Sequence, residues 1–208
     1  MVTNTSKEKI LSEAERLIHT KGIDATSISD LQQATGLTRS SIYFHFPNKD
    51  ALCRQVLERA WQQFRSILAE TVGPDRPMGG VPDLLQALLE LNRQNEYVGG
   101  CIFGNTALEM SDVDESYADL VEEIFDEWRE ELQNALAAAQ RRGEVRADTG
   151  AEVLATQTIG TIEGAIMLAR LKKQEKPFRN CIEGLETFLA AEQSANPSGQ
   201  AESEEPNR

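Results

Sequence analysis

The stretch TSISDLQQATGLTRSSIYFHFPNKDALCRQVL, residues 26–57, decides the fold. Its apolar residues recur at helical spacing and are interrupted by turn-formers. Ser27 is placed to cap a short helix over 27–35, with Asp30 in favourable contact with the helix dipole. Ile28, Leu31 and Ala34 lie on one side of that helix, and Gly36 breaks it. Thr38 is placed to cap another, from Arg39 to about His45, which stops before Pro47 because a residue preceding proline resists helical angles. Asn48 caps a longer helix to about Thr71, with Leu52, Val56, Leu57, Ala60, Phe64 and Leu68 among its apolar positions.

Upstream, Ile10, Leu11, Ala14, Leu17 and Ile18 form the buried stripe of a helix over 6–20. Thr5 with Glu8 reads as its capping box and Gly22 as its stop. Three helices in the first 46 residues, with a tight glycine turn between two short ones, make a helix-turn-helix. Leu31, Ala34, Leu37 and Ile42 supply the wedge that locks the short pair together. Arg39, Ser40, Ser41, Tyr43 and His45 are left without a core to join. They are basic, hydroxyl-bearing or aromatic, the types that touch phosphates and base edges. Thr38 adds a hydroxyl beside free backbone N–H groups. Lys49 opposes the dipole of its own helix, which makes sense if a phosphate sits there.

Downstream, 73–80 is a loop by composition. Helices are expected over 82–96, 101–110, 114–142, 148–173 and 177–192, with a break at Val98-Gly99-Gly100. No segment alternates as a strand. The predicted class is all-α: a helix-turn-helix DNA-binding domain over 1–50, a helical ligand-binding and dimerisation domain over 51–192, and a disordered tail over 193–208.

The 208 residues carry 21 Lys+Arg and 34 Asp+Glu, a net charge of −13. Residues 1–60 hold eight basic and seven acidic residues, so the negative charge belongs to the rest of the chain. Phosphate would be repelled by that body, and any DNA contact has to come from the first sixty residues. No run of about 18 apolar residues exists to span a membrane. The start MVTNTSKEKI lacks a basic-then-apolar signal, which predicts a cytoplasmic protein. Cys53, Cys101 and Cys181 are far apart with no CxxC spacing, so neither a disulfide framework nor a zinc site is expected. No cofactor and no other metal is expected either. The acidic run Asp112, Asp114, Glu115, Asp119, Glu122, Glu123, Asp126 and Glu127 reads as a solvated helix face. His19 has no evident nucleophile or paired carboxylate beside it, which argues against an enzyme.

Residues 26–57 resemble the amino-terminal signature of the TetR family of bacterial transcriptional regulators, through Thr26-Ser27, Ile28, Leu31, Ala34, Gly36, Tyr43, Phe46-Pro47, Lys49 and Leu52. Ser40 stands where many members have glycine or alanine. The resemblance implies a homodimer whose two recognition helices enter successive major grooves of a near-palindromic double-stranded operator. It also implies a helical carboxy-terminal domain that binds an inducer and lowers DNA affinity, usually relieving repression. Ser27, Thr38, Tyr43 and Lys49 match phosphate-contacting positions. Arg39, Ser40, Ser41 and His45 match positions against bases or backbone. The competing reading puts Tyr43 and Phe44 partly in the core and leaves only Arg39 and Lys49 on DNA. A helical interaction module with a non-functional head is the alternative for the whole chain.

Residues 99–112, GGCIFGNTALEMSD, resemble a GC-x-x-x-N-x-x-x-E segment of one TetR branch, some members of which respond to electrophiles or oxidants through the cysteine. Cys101 at a helix start would favour thiolate, more so with Arg170 against it; the alternative is a packed, inert thiol. The other inducer route is a small-molecule pocket. Phe103, Leu108, Ile124, Trp128, Thr156, Gln157, Ile159, Thr161 and Met167 are its candidate wall, with Asn105, Glu109 and Glu163 as polar handles. For the dimer interface, Gly160 and Gly164 lie four apart on one helix face beside Leu168 and Leu171, and Leu185, Phe188 and Leu189 follow on the last helix. The alternative is that the glycine pair faces a helix of the same chain.

Overall fold

A computed structural model describes residues 6–191. Nine α-helices occupy those residues: α1 Ser6–Lys21, α2 Ile28–Thr35, α3 Arg39–His45, α4 Lys49–Thr71, α5 Val81–Gln94, α6 Ile102–Met110, α7 Glu115–Arg141, α8 Ala151–Lys172 and α9 Lys176–Leu189. No strand occurs among the described residues; one isolated bridge pairs Val145 with Ala190. The Thr5 cap and the tail over 193–208 lie outside them.

The local signals act as their chemistry dictates. Ser27 Oγ accepts the Asp30 N–H at 3.1 Å while the Asp30 carboxylate accepts the Ser27 N–H at 2.9 Å, a reciprocal capping box. Thr38 Oγ1 accepts the Ser41 N–H and Asn48 Oδ1 the Ala51 N–H. Gly36 closes α2 at φ +69°, a left-handed angle that glycine adopts without Cβ strain. Three boundaries differ from expectation by two residues or more, one of them the end of α9 at Leu189, short of 192, where Ala190 pairs with Val145. Residues 148–150 stay outside α8 because Arg146 holds the Asp148 carboxylate in a two-pronged ion pair. α5 stops at Gln94, and Glu96 and Tyr97 take left-handed angles of 52° and 55°. Such angles cost about 1–2 kcal/mol per residue. The turn is held down by Lys173 Nζ donating to the Tyr97 carbonyl and by the Tyr97 hydroxyl donating to Glu175.

A single apolar cluster runs through all nine helices, from Ile10 in α1 through Phe46, Leu57, Leu85 and Trp128 to Phe178 and Leu189. α1 packs on α2, α3, α4 and α6; α7 and α8 pack together, and α9 lies on α8 and α5. α4 and α6 therefore join α1 to the rest of the chain. No described helix is long and apolar enough to cross a membrane.

Candidate DNA interface and sensor cavity

α3 is anchored by Ile42 and by Phe46 just beyond its end, at 0% and 1% exposure. Anchoring at those two points turns the opposite face outward. Thr38, Arg39 and Ser40 are exposed at its start, while Ser41, Tyr43 and His45 are half-buried. The Arg39 guanidinium lies 5.4 Å from the Tyr43 ring centroid, with Nη2 donating to the Tyr43 hydroxyl at 3.4 Å. Stacking of this kind holds a long side chain ready at modest entropic cost. Thr38 and Ser40 hydroxyls are bonded to each other at 2.9 Å. Ser27 is exposed but engaged with Asp30, which also pairs with Lys21. These hydrogen bonds hold the Asp30 carboxyl well below the usual carboxylate range.

Two of the expected contact residues are also tied within the chain. His45 turns back toward α1, its Nε2 2.6 Å from the Ser6 hydroxyl. Lys49 Nζ donates to the Asp24 carbonyl at 2.9 Å, bracing the loop between α1 and α2. Phe44, which the competing reading puts partly in the core, lies outside it. Phe44 is 85% exposed on the outer face of α3. Its sequence signal was its register, two residues after the anchor Ile42 and two before the anchor Phe46. An exposed phenyl is an apolar group suited to a thymine methyl.

In the body, a cavity of about 230 Å³ opens between α1, α4, α5, α6, α7 and α8. Of the expected wall, Phe103, Trp128, Cys101 and Glu163 line it. Phe64 stands edge-on to Trp128 with centroids 4.8 Å apart, and Phe103 and Trp61 extend the aromatic cluster. Trp128 Nε1 and Glu163 Oε1 are buried without a hydrogen-bond partner. Burial pushes the Glu163 carboxyl up and, with the nearby Arg170, pushes the His19 imidazole down.

Several expected wall residues are elsewhere. Leu108, at 91% exposure, Thr156 and Gln157 point outward, as does Met167 at 59%. Ile124 is buried core, Ile159 packs against the core, and neither it nor Thr161 lines the cavity. Asn105 accepts from Arg170 Nη1 at 3.2 Å and donates to the Gly99 carbonyl at 2.7 Å, so it ties the loop ahead of α6. Glu109 does not line this cavity but a separate, more open cleft, with Asn105, Leu108 and Arg170. Its two oxygens accept the backbone N–H of Ile23 at 2.9 Å and of Asp24 at 2.7 Å, clamping the end of α6 to the turn between α1 and α2.

At Cys101 the geometry favours the packed thiol over the activated thiolate. Cys101 caps α6, its Sγ accepting the Gly104 N–H at 3.5 Å, while Arg170 is engaged with Asn105. Burial, together with the nearby Glu163 carboxyl, pushes the Cys101 thiol well up. Desolvation and a neighbouring negative charge outweigh the helix dipole, so the thiol stays protonated. Burial likewise pushes Cys53 up to about 11.

The dimer candidates divide. Leu185 and Leu189 are buried within the chain's own core and are unavailable to a partner. The outward face of α8 carries Val153, Gly160, Met167, Leu168 and Leu171, with Leu171 at 74% exposure and Phe188 of α9 exposed as well. A Cβ on Gly160 or Gly164 would meet nothing within 4 Å, so the pair does not face a helix of the same chain. The acidic run lies mostly on the exposed side of α7, and no group of three or more His, Cys, Asp or Glu among the described residues could hold a metal.

Comparison with known proteins agrees with this arrangement. Residues 10–56 match the model described as bacterial regulatory proteins of the tetR family, and 77–185 the tetracyclin repressor-like C-terminal domain. The crystal structure of a TetR transcriptional regulator from Chloroflexus aurantiacus is 32% identical with a TM-score of 0.75, covering 88% of this chain and 93% of that one. The HTH-type transcriptional repressor DhaR of a Mycobacterium strain is 22% identical over 85% of this chain and 88% of its own length. The HTH-type transcriptional regulator TtgR of Pseudomonas putida is 28% identical over 80% of this chain and 83% of its own. These relatives are transcriptional regulators, not enzymes. With both of its parts matched and this fold in place, the chain belongs to the TetR family of helix-turn-helix transcriptional regulators.

Proposed function

We propose that the chain is a cytoplasmic homodimeric repressor that binds a near-palindromic operator and is released by a small molecule. The division of labour follows the chain: residues 1–50 read DNA, and residues 51–192 sense and dimerise. The observation that carries the reading is the outer face of α3, where Arg39, Ser40 and Phe44 are exposed on a helix locked by Ile42 and Phe46. Ser27, Thr38, Tyr43 and Lys49 serve the phosphates; Arg39 and Phe44 serve base edges. Ser41 lies closer to the backbone, and His45 acts by positioning α1 through Ser6.

The outward face of α8 supports the dimer. Helices that are apolar on both sides are buried on both sides, and in one subunit only the inner side of α8, with Leu154, Ile162, Ala165 and Ala169, is covered. Gly160 and Gly164 let a second helix approach closely. The cavity supports ligand release, because α6 carries cavity residues at its start and the Glu109 clamp near its end. A shift of α6 is thereby delivered to the turn that supports α2. Two heads on one duplex need recognition helices about 34–36 Å apart, and a coupling of about 1–3 kcal/mol lowers affinity 5–150-fold. Release through Cys101 chemistry is disfavoured by its protonated, partly buried thiol.

Selection of genomic fragments by the purified protein tests the reading. A recovered inverted repeat that the wild type binds and Arg39→Ala does not is the expected result. Binding to no duplex would leave the interaction-module alternative, and equal binding by the variant would remove Arg39 from the reading face.

A further inference from the structure

We infer that the cavity between α1, α4, α5, α6, α7 and α8 takes a small aromatic amine in its ammonium form. This rests on the sensor half of the function proposed above and names the ligand chemistry of that site. Three observations carry it. The first is the wall: Phe64, Phe103 and Trp128 supply π faces, which attract a cation as well as an apolar ring.

The second is the pair of orphaned polar atoms. Glu163 Oε1 is buried without a hydrogen-bond partner. A buried acceptor left unmade costs free energy that a donor on the ligand recovers, more so when that donor is charged. Trp128 Nε1–H is also unpartnered. It offers a donor to any ether or hydroxyl oxygen the amine carries.

The third is the sign of the charges. Glu15 and Glu163 line the cavity, and no lysine or arginine does. Around it, Arg59 lies 4.0 Å from Glu15 and partly neutralises it. Arg170 spends its guanidinium on Asn105, outside the lining residues. His19 is kept neutral by burial and by Arg170. Glu163 is left without a neutralising cation, and a ligand ammonium beside it would favour its charged form against the burial that pushes the carboxyl up. An anionic ligand would meet two carboxyl groups and no cation, and a neutral one would leave Glu163 as it stands. The cavity of about 230 Å³ lies below the roughly 300–1,000 Å³ of sites for drug-sized ligands, which limits the amine to about one or two rings.

The test is a series of one shape and three charges on the full chain at pH 7: 2-phenylethylamine, 2-phenylethanol and phenylacetate. Binding is read by quenching of Trp61 and Trp128 fluorescence and by calorimetry. The amine should saturate and bind about tenfold or more tighter than the alcohol, with phenylacetate weakest. Glu163→Gln should bring amine and alcohol within about threefold, and Glu15→Gln should do less. An amine that does not saturate, an amine no tighter than the alcohol, or a preference that survives Glu163→Gln overturns the inference. Should Glu163→Gln misfold, the three-ligand comparison on the unaltered protein decides alone. Operator binding, scored without amine on the same preparation, is independent. Its failure strikes the regulator reading, whereas operator binding without amine selectivity strikes only this inference.

Discussion

Replacing Glu109 by alanine removes one carboxylate that serves two backbone donors, Ile23 N–H at 2.9 Å and Asp24 N–H at 2.7 Å. A hydrogen bond to a charged group contributes about 1.5–3 kcal/mol and an ordinary one about 0.5–1.5 kcal/mol. The Ile23 bond is part-buried and keeps the higher range, while the Asp24 bond is exposed and screened toward the lower. Water can take the place of the carboxylate at Asp24 but reaches poorly beside Ile23, which is 3% exposed. The expected loss is about 2–3 kcal/mol. At about 2–4 °C per kcal/mol for a chain of this size, the Tm falls by about 4–12 °C. Glu109→Gln keeps one oxygen acceptor without the charge and should lose about half as much.

Gly22 provides an internal control. It sits at φ +91°, and a Cβ there would lie 2.6 Å from a Glu109 oxygen. Gly22→Ala is therefore destabilised twice, by backbone strain and by the clash. Combined with Glu109→Ala it should cost less than the sum of the single changes, because the clash is gone. Urea denaturation gives the energies, and hydrogen exchange of a peptide spanning residues 18–26 reports the clamp directly. A Glu109→Ala variant within about 0.5 kcal/mol of wild type, with unchanged exchange in that peptide, would refute the junction as a mechanical link.

Phe44→Ala should leave Tm within about 2 °C, since the ring is exposed, yet weaken operator binding by about 1 kcal/mol or more; unchanged affinity removes Phe44 from the interface. Leu171→Glu, on a side chain 74% exposed in the subunit, should give a folded monomer by sedimentation, and a persistent dimer would move the interface off α8. At pH 8, Cys53, pushed up to about 11, should react with iodoacetamide about a hundredfold more slowly than an ordinary thiol, read by mass spectrometry of timed samples. Glu144 is held down to about 2 by Arg142 and the Met78 N–H. Its folded pKa lies below its unfolded one, so its stabilisation is present above about pH 4.5 and is lost as pH falls toward 2. Glu144→Gln should flatten that part of the stability–pH curve.

The helix-turn-helix was legible because its signals act locally. Ser27, Thr38 and Asn48 bond to amides three residues on, Gly36 ends α2 through its own left-handed angle, and Pro47 ends α3 by keeping Phe46 extended. The exposed face of α3 followed from the same arithmetic once Ile42 was placed in the core. The body was read less well for a physical reason. Helical spacing says which residues share a face, not which face meets a cavity, a partner or water. Met167 and Leu171 share one face of α8, so a wall residue and an interface residue were not separable by period alone. On α9, Leu185, Phe188 and Leu189 recur as one apolar stripe, yet the fold buries the two leucines and leaves the phenylalanine out.

The order of caps, breakers and apolar repeats by itself determined nine helices, a helix-turn-helix head and the TetR resemblance, since each interaction involved spans only a few residues of chain. Tertiary structure alone decided that Glu109 clamps amides 85 and 86 residues away, and that Cys101 meets a carboxyl rather than Arg170. Desolvation and long-range pairing depend on which surfaces close over one another. A local sequence pattern carries no measure of that distance.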